Sequence, residues 1–449
     1  MLGNNANLLY GILITSGAQT AAGLGERAKL SQPVVSRALS EIAQNTGRLA
    51  THRKGRSIVY AITKQIRSLP PGILIHRIRV EDGANEVFGT LTALEGGGYL
   101  FVGLNQQSEF FEALPWFLQD MRPQGYIGRA FCHAHSEDLG LSISLSEWSD
   151  DDALYALFSF GEDFPGNLIV GNASLRRFLT SDYEVQLSAE SLVDYYDLMA
   201  DSAVQGGVPG SSAAGEHPKF LARYIEAGKV SNVIVKFSPL LDGSPSAIRW
   251  MDLLIAEHVA LEVLGAHGIN VPKTRIIISG NRCYLESERY DRAGSKGRIG
   301  TVSFEAVDNA FIGSRRTWSM SASALRSQGM IDHECEERIR LVELFGRCIA
   351  NTDMHFGNLS FFWEMPAKSS LQLRLAPIYD MLPMLYAPEK SEVVYRTFNL
   401  PSVPEFGIAG KLAFAFWSNV ASHYNVTAAF KEIAVTNAEL LSNTLSLSR

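Results

Sequence analysis

The stretch Ala350-Asn351-Thr352-Asp353-Met354-His355-Phe356-Gly357-Asn358-Leu359 decides how this chain is read. An aspartate followed five residues later by an asparagine has the spacing of a kinase catalytic loop. In that chemistry the aspartate orients or accepts the proton of an attacking hydroxyl, and the asparagine binds a Mg²⁺ that neutralises phosphate charge. Alone the pattern is common, and a polar loop capping helices produces the same letters. Leu375-Ala376-Pro377-Ile378-Tyr379-Asp380 changes the odds, because Asp380 follows Asn358 by 22 residues and ends an apolar run. It occupies the place of a second metal-binding aspartate. Leu359, Phe361 and Phe362, then Leu371, Leu373 and Leu375, predict a hairpin that brings the two sites face to face.

Working towards the N-terminus, Val233-Ile234-Val235-Lys236-Phe237 places a lysine inside a β-branched strand. A strand lysine is ordinarily edge decoration and must otherwise snorkel or pair. Glu257, on the predicted helix 247–267, is the partner available to it. Strand lysine before helix glutamate is the kinase order, with the lysine meeting the nucleotide phosphates. After another strand, Cys283 to Arg292 reads as the linker between lobes, whose backbone meets adenine.

The first 67 residues read differently. Leu8, Leu9, Ile12 and Leu13 predict a helix; Thr20 caps a second, with Leu24 and Ala28 inward; Ser31 caps a third, with Pro33 in its first turn and Val35, Leu39 and Ile42 inward. Runs 48–52 and 57–62, joined by Arg53-Lys54-Gly55-Arg56, predict a hairpin. Together these make a winged helix-turn-helix. Gln32, Ser36, Arg37 and Ser40 are placed to read a DNA major groove, and Arg53, Lys54 and Arg56 to grip the backbone from the wing. A winged helix used for protein contact has the same letters.

Composition frames both readings. The chain has 449 residues, 46% hydrophobic and 19% charged, which excludes wholesale disorder. Its net charge of −7 argues against nucleic acid until it is divided. Residues 1–67 hold nine basic and two acidic side chains, so this head carries +7 and the remainder −14. The four cysteines form no CxxC pair, so zinc and disulfide frameworks are not expected. With no basic secretory start and no long apolar span, a soluble cytoplasmic protein without membrane contact is expected. Pro70-Pro71 marks a boundary, alternation over 72–105 predicts strands, and helices are expected at 110–121 and 152–160. The Gly/Ser/Ala-rich residues 200–218 are expected to form a loop.

The ordered motifs resemble the HipA family of bacterial serine/threonine kinases. They are a Ser-x-Ala-Gly-x-x-x-Lys loop at 212–219, Ile234-Val235-Lys236-Phe237, Glu288-Arg289-Tyr290-Asp291-Arg292, Asn351-Thr352-Asp353 with His355 and Asn358, and Ala376 to Asp380. Leu114 to Leu118, Arg122-Pro123 and Gly161 to Gly166 are similar to the family's N-terminal region. With the fused head, the chain most resembles the YjjJ-type subgroup.

The resemblance implies an α+β, two-lobed protein-kinase-like fold carrying an N-terminal winged helix. Four segments are expected: the head at 1–68, a β-rich subdomain at 69–190, an ATP-binding lobe at 191–287, and a mainly helical lobe at 288–449. It implies ATP and Mg²⁺ as cofactors, transfer to a protein substrate, an antitoxin partner, and action as a toxin or growth regulator. Asp353 becomes the catalytic residue, and Asn358 and Asp380 the metal ligands. Lys236, Glu257, Gly215, Lys219, Glu288 and Tyr290 become the nucleotide site. Ser212, with Ser211 adjacent, becomes the autophosphorylated serine. Two positions depart from the family: Gly357 stands where a lysine is usual, and Glu216 puts negative charge into the phosphate loop.

Two other functions fit part of the pattern. Small-molecule kinases share the Asp-to-Asn spacing, and a transcriptional regulator could use a kinase-like body only to sense nucleotide. Cys132-His133-Ala134-His135 is read as structural, 332–337 as a charged helix start, His355 as a scaffold hydrogen-bonder, and Trp116, Phe117, Leu341, Leu344, Phe345 and Cys348 as core.

Overall fold

The computed structural model describes every residue except 56, 105–106, 182–184, 207–216, 365–370, 404–405 and 448–449. Arg56, Ser211, Ser212, Gly215 and Glu216 therefore lie outside the described residues. Contacts divide the chain into two units, Met1–Pro123 with His135–Ser181, and Gln124–Ala134 with Asp182–Arg449.

The first unit opens with α1 (Asn4–Ser16), β1 (Gln19–Thr20), α2 (Ala21–Ala28), α3 (Gln32–Thr46), β2 (Leu49–Lys54) and β3 (Ser57–Ile62). These strands form a sheet in the order β1-β3-β2, the hairpin wing of a winged helix. Leu9, Leu13, Leu24, Val35, Leu39 and Ile42 close one buried cluster, as their helical spacing requires. Thr20 caps α2 by accepting from the Gly23 backbone. Ser31 sits at the start of α3, but its side chain makes no capping bond. Leu8 is 46% exposed and leaves the expected stripe.

A five-stranded antiparallel sheet comes next, in the order β7-β6-β5-β4-β8, from β4 (Ile73–Ile78), β5 (Asn85–Ala93), β6 (Tyr99–Gly103), β7 (Ser108–Phe111) and β8 (Leu168–Val170). The helix expected at 110–121 is shorter: Phe110 and Phe111 end β7, and a 3-10 helix occupies Trp116–Met121. Trp116 and Phe117 are buried there. Two further helices complete this unit, α5 (Asp150–Phe160) and α6 (Gly171–Thr180); α4 (Gly125–Leu139) is divided between the units, its residues up to Ala134 belonging to the second.

The head is built into this sheet. Glu95 N–H donates to Ile62 C=O and Lys64 N–H to Ala93 C=O, both at 2.8 Å, so β3 runs on into the β5–β6 turn. At Gly96 (φ +75°) the two backbones meet so closely that a Cβ would lie 2.3 Å from Gly17 N. Ala61, Leu94 and Leu100 bury a small shared core.

The second unit begins with β9 (Val185–Gln186), α7 (Ala189–Gly206), β10 (Lys219–Glu226), β11 (Lys229–Phe237), α8 (Pro245–Ala266), β12 (Thr274–Ile278) and β13 (Cys283–Glu288). Their sheet order is β12-β13-β11-β10-β9. Residues 200–206, expected in a loop, are the last turns of α7. Leu192, Tyr196 and Ala200 recur every four residues and pack on Phe220, Tyr224, Val235 and Phe237. Because strand side chains alternate, the intervening residues, Lys219 and Lys236 among them, face the other way, towards α8.

The remainder comprises β14 (Arg292–Ala293), β15 (Gly297–Arg298), β16 (Thr301–Ser303), α9 (Phe304–Phe311), α10 (Trp318–Ser327), α11 (His333–Cys348), β17 (Ser360–Glu364), β18 (Gln372–Leu375), α12 (Gly407–Ser422) and α13 (Ala428–Leu447). Strands β17 and β18 are the hairpin expected between Asn358 and Asp380. Asp332 caps α11 by accepting from the Cys335 backbone. On that helix Val342, Phe345 and Cys348 are fully buried, whereas Leu341 and Leu344 are only half-buried. Among the described residues no helix is long and apolar enough to cross a membrane.

Candidate active site

Lys236, Glu257 and Asp380 meet in the second unit. Lys236 Nζ donates to both carboxylate oxygens of Glu257 at 2.7 Å and also pairs with Asp380. The lysine side chain is 13% exposed and that of Glu257 3%. A strand lysine can be buried so deeply only because two carboxylates compensate it. Burial alone lowers the Lys236 pKa, but Asp380 and Glu257 overcome it and raise the group. Burial would raise Asp380, yet Lys236 and Lys219 pull it down to about 2. Glu257 is raised, chiefly by burial and against the pull of Lys236.

The loop that carries Asp353 leaves the end of α11. Ala350 (φ +60°) turns the chain out of the helix, and Asn351 anchors the loop at its first turn. Its Oδ1 accepts from Asp353 N at 3.1 Å, and its Nδ2 donates to Asp380 C=O at 3.1 Å. One buried asparagine thus ties the Asp353 loop to the Asp380 loop. Asn358 Nδ2 donates to Asp353 C=O at 2.6 Å, which closes the five-residue turn. Asn358 is 4% exposed, and its Oδ1 keeps no hydrogen-bond partner among the described residues. Asp353 itself is exposed, with its carboxylate unengaged among them. Tyr379 Oη donates to Gly357 C=O at 2.7 Å and holds the loop from below. Tyr290 stacks on Tyr379 at 6.0 Å between ring centroids.

Of the other expected nucleotide residues, Gly215 lies outside the described residues, Lys219 shares the face of Lys236, and Glu288, paired with Val233, lies on the opposite face of the sheet. Lys219 lies directly opposite Lys236 in the β10–β11 pair and makes no ion pair among the described residues. Two lysines so placed repel unless an anion lies between them. Glu288 is opposite Val233, three positions along β11 from Lys236. Its half-exposed carboxylate lies 3.6 Å from Lys229. His355 Nδ1 accepts from Gly357 N at 3.1 Å, a scaffold role. A Cβ at Gly357 would lie 3.0 Å from that ring, so loop and histidine are closely fitted.

An oxygen-only donor set, the Asp380 carboxylate and the Asn358 amide oxygen, matches a hard cation such as Mg²⁺. The lysine pair matches phosphate. Reading by sequence missed the bridging role of Asn351, the loop support from Tyr379, and His217, whose ring lies against Trp250 at 4.6 Å. For Asn351 the signal was present, because an Asn two residues before the Asp is an Asx-turn spacing.

In the first unit Gln32, Ser36, Arg37 and Ser40 line the exposed side of α3, opposite its buried stripe. Arg53 is exposed on the wing. The head's basic excess is divided in two. Arg48, Lys64 and Arg67 pair with Glu95, Asp151 and Asp152 of the sheet subdomain. Arg27, Lys29, Arg37 and Arg53 are exposed and form no ion pair among the described residues.

Comparison with known proteins gives this arrangement a family. Residues 71–179 match the model of the YjjJ-like toxin, middle domain, and residues 211–439 that of the HipA-like C-terminal domain. The chain is 33% identical over 429 residues to Toxin YjjJ of Escherichia coli strain K12, covering 94% of each. The chain belongs to the YjjJ-like branch of the HipA-like toxins. Its fold is also that of HipA from Shewanella oneidensis MR-1, solved with HipB and operator DNA. The TM-score is 0.50 at 15% identity, covering 82% of this chain and 95% of that one. The Helicobacter pylori kinase CtkA matches half the chain at a TM-score of 0.33 and 14% identity. Membership in the toxin family accounts for the order of the motifs along the chain.

Proposed function

We propose that this chain is an ATP- and Mg²⁺-dependent serine/threonine-protein kinase that acts as a toxin or growth regulator. One observation carries the reading. Lys236 is held between Glu257 and Asp380, and Asn351 ties Asp380 to the loop that presents Asp353. A buried lysine flanked by two carboxylates is a poor structural device, because a well-packed apolar core is as stable or more so. It is a good phosphate site. When Mg²⁺ is bound, it draws charge from the phosphates; Asp380 and the Oδ1 of Asn358 would hold it. Lys236 and Lys219 position the phosphate chain, and the exposed Asp353 carboxylate orients the incoming hydroxyl and takes its proton. Ser212 is the expected site of autophosphorylation.

The test uses purified full-length protein with γ-labelled ATP. Wild type incorporates label and Asp353→Asn does not; equal incorporation by both removes Asp353 from its role. Phosphoproteomics after expressing the two forms identifies the protein targets, and transfer only to small molecules overturns the protein-kinase reading.

A second activity rests on the head. The four exposed cations that form no ion pair among the described residues, with the polar face of α3, support DNA binding; the HipA relative was itself solved in a complex with HipB and operator DNA. Because the head shares its core with the sheet subdomain, the assay uses the whole chain. A salt-dependent shift of duplex DNA is expected, and no shift at low salt refutes it.

A further inference from the structure

We propose that the His217 imidazole is a direct contact to the phosphate chain of the bound nucleotide, donating from a ring nitrogen to a phosphate oxygen. This rests on the kinase reading above and adds to it a residue that the motif comparison leaves blank. The placement is geometric. Phe237 N donates to Pro218 C=O at 3.2 Å, so the β10–β11 ladder runs on beyond Lys219, and His217, two residues before that lysine, falls on the same side of the sheet. That side faces α8. The ring lies 4.6 Å from Trp250, and Trp250 precedes Glu257 by seven residues, two turns along one face of α8. By the helical rise, Trp250 stands about 10 Å along α8 from Glu257, the Lys236 partner.

Both ring nitrogens are buried, and neither has a hydrogen-bond partner among the described residues. The Phe237 backbone lies near enough to act on the ring without reaching hydrogen-bond geometry. Orphaned buried polar atoms destabilise a fold unless a ligand takes them up. The charged groups that act on the ring are those of the candidate site: Lys236, Lys219 and Asp380. Burial, reinforced by the two lysines, keeps the imidazole uncharged, well below its ordinary pKa. An uncharged imidazole offers one N–H donor, and phosphate oxygens are acceptors. It therefore supplies a directional bond beside the lysines without adding a third repelling cation.

The test measures nucleotide binding, not turnover. Full-length protein is titrated with Mg²⁺ and the β,γ-imido analogue of ATP, and separately with adenosine. Binding is followed by calorimetry and by the fluorescence of Trp250, with Trp250→Phe identifying its share of the signal. His217→Phe keeps a ring against Trp250 and removes both nitrogens. It should weaken the triphosphate at least about tenfold, equivalent to about 1.4 kcal/mol, and leave adenosine unchanged. His217→Asn, too short to reach, should show the same loss if the phenylalanine variant does not fold. His217→Gln should restore binding to within about threefold. Unchanged triphosphate affinity in a folded Phe or Asn variant overturns the proposal while the kinase reading stands. If wild type binds neither ligand, both fall together.

Discussion

Replacing Lys236 by methionine tests the electrostatic logic of the site without any ligand. In wild type the Lys236 charge faces Glu257 at 2.7 Å and Asp380 beside it. Removing it leaves two carboxylates with only Lys219, which pairs with neither, to offset them. Asp380, a quarter exposed, can relax towards water. Glu257, 3% exposed on its side chain, cannot, and it must take up a proton. Holding a carboxyl of ordinary pKa 4.5 protonated at pH 7 costs 1.36 kcal/mol per unit, or about 3 kcal/mol. The sign is that of a folded pKa raised above the unfolded one. Below pH 4.5 both states are protonated and the deficit vanishes; it grows as pH rises until the raised pKa is passed. Thermal melts of Lys236→Met should therefore lie roughly 6 °C below wild type at pH 7.5 and converge with it near pH 4.5. Adding Glu257→Gln should recover most of the loss at pH 7.5. A deficit that does not change with pH, or a double variant no more stable than Lys236→Met, would show that packing rather than charge holds the lysine.

The same geometry sets three further outcomes. Asn351→Ala removes the bonds to Asp353 N and Asp380 C=O; a loss of about 2 kcal/mol in stability and a kcat fall of at least about 100-fold with KM for ATP nearly unchanged are expected, and a purely structural asparagine would leave kcat intact. Asp380 is held at about 2, below its ordinary 3.8, so its stabilising share is present above pH 3.8 and lost as pH falls towards 2; in acid titrations followed by circular dichroism, Asp380→Asn should flatten that limb. On DNA, Arg37→Ala should reduce the slope of log affinity against log salt by about 0.9, whereas Arg48→Ala, already paired with Glu95, should leave the slope unchanged.

Much of the candidate site was legible because its chemistry is local. Asp353 and Asn358 sit on one short loop, Asp380 comes after a hairpin marked by alternating leucines and phenylalanines, and Lys236 interrupts an otherwise apolar strand. Helix α7 was less legible because its Gly/Ser-rich end resembles a loop, and only packing against Phe220 and Tyr224 commits it to a helix. The 3-10 helix at Trp116–Met121 was overdrawn because phenylalanines serve a strand edge and a helix face equally well. His217 lies inside the 212–219 motif but at a position the motif leaves open, and nothing in its neighbours' letters says that a tryptophan 33 residues later will lie against it.

The sequence by itself determined the winged helix, the order of the kinase-like motifs, and a head carrying +7 against a body carrying −14. These come from periodicity, spacing and counts, which are properties of neighbours along the chain. Only the tertiary structure decided how that charge is used. Three of the head's cations are neutralised by carboxylates brought from the sheet subdomain, and four remain exposed and unpaired among the described residues. The same holds at the candidate site, where Lys236 can be buried because residues 21 and 144 positions away supply the carboxylates that compensate its charge. Charge is a sum that sequence gives directly. Pairing depends on distances of a few ångströms, and those are set by folding.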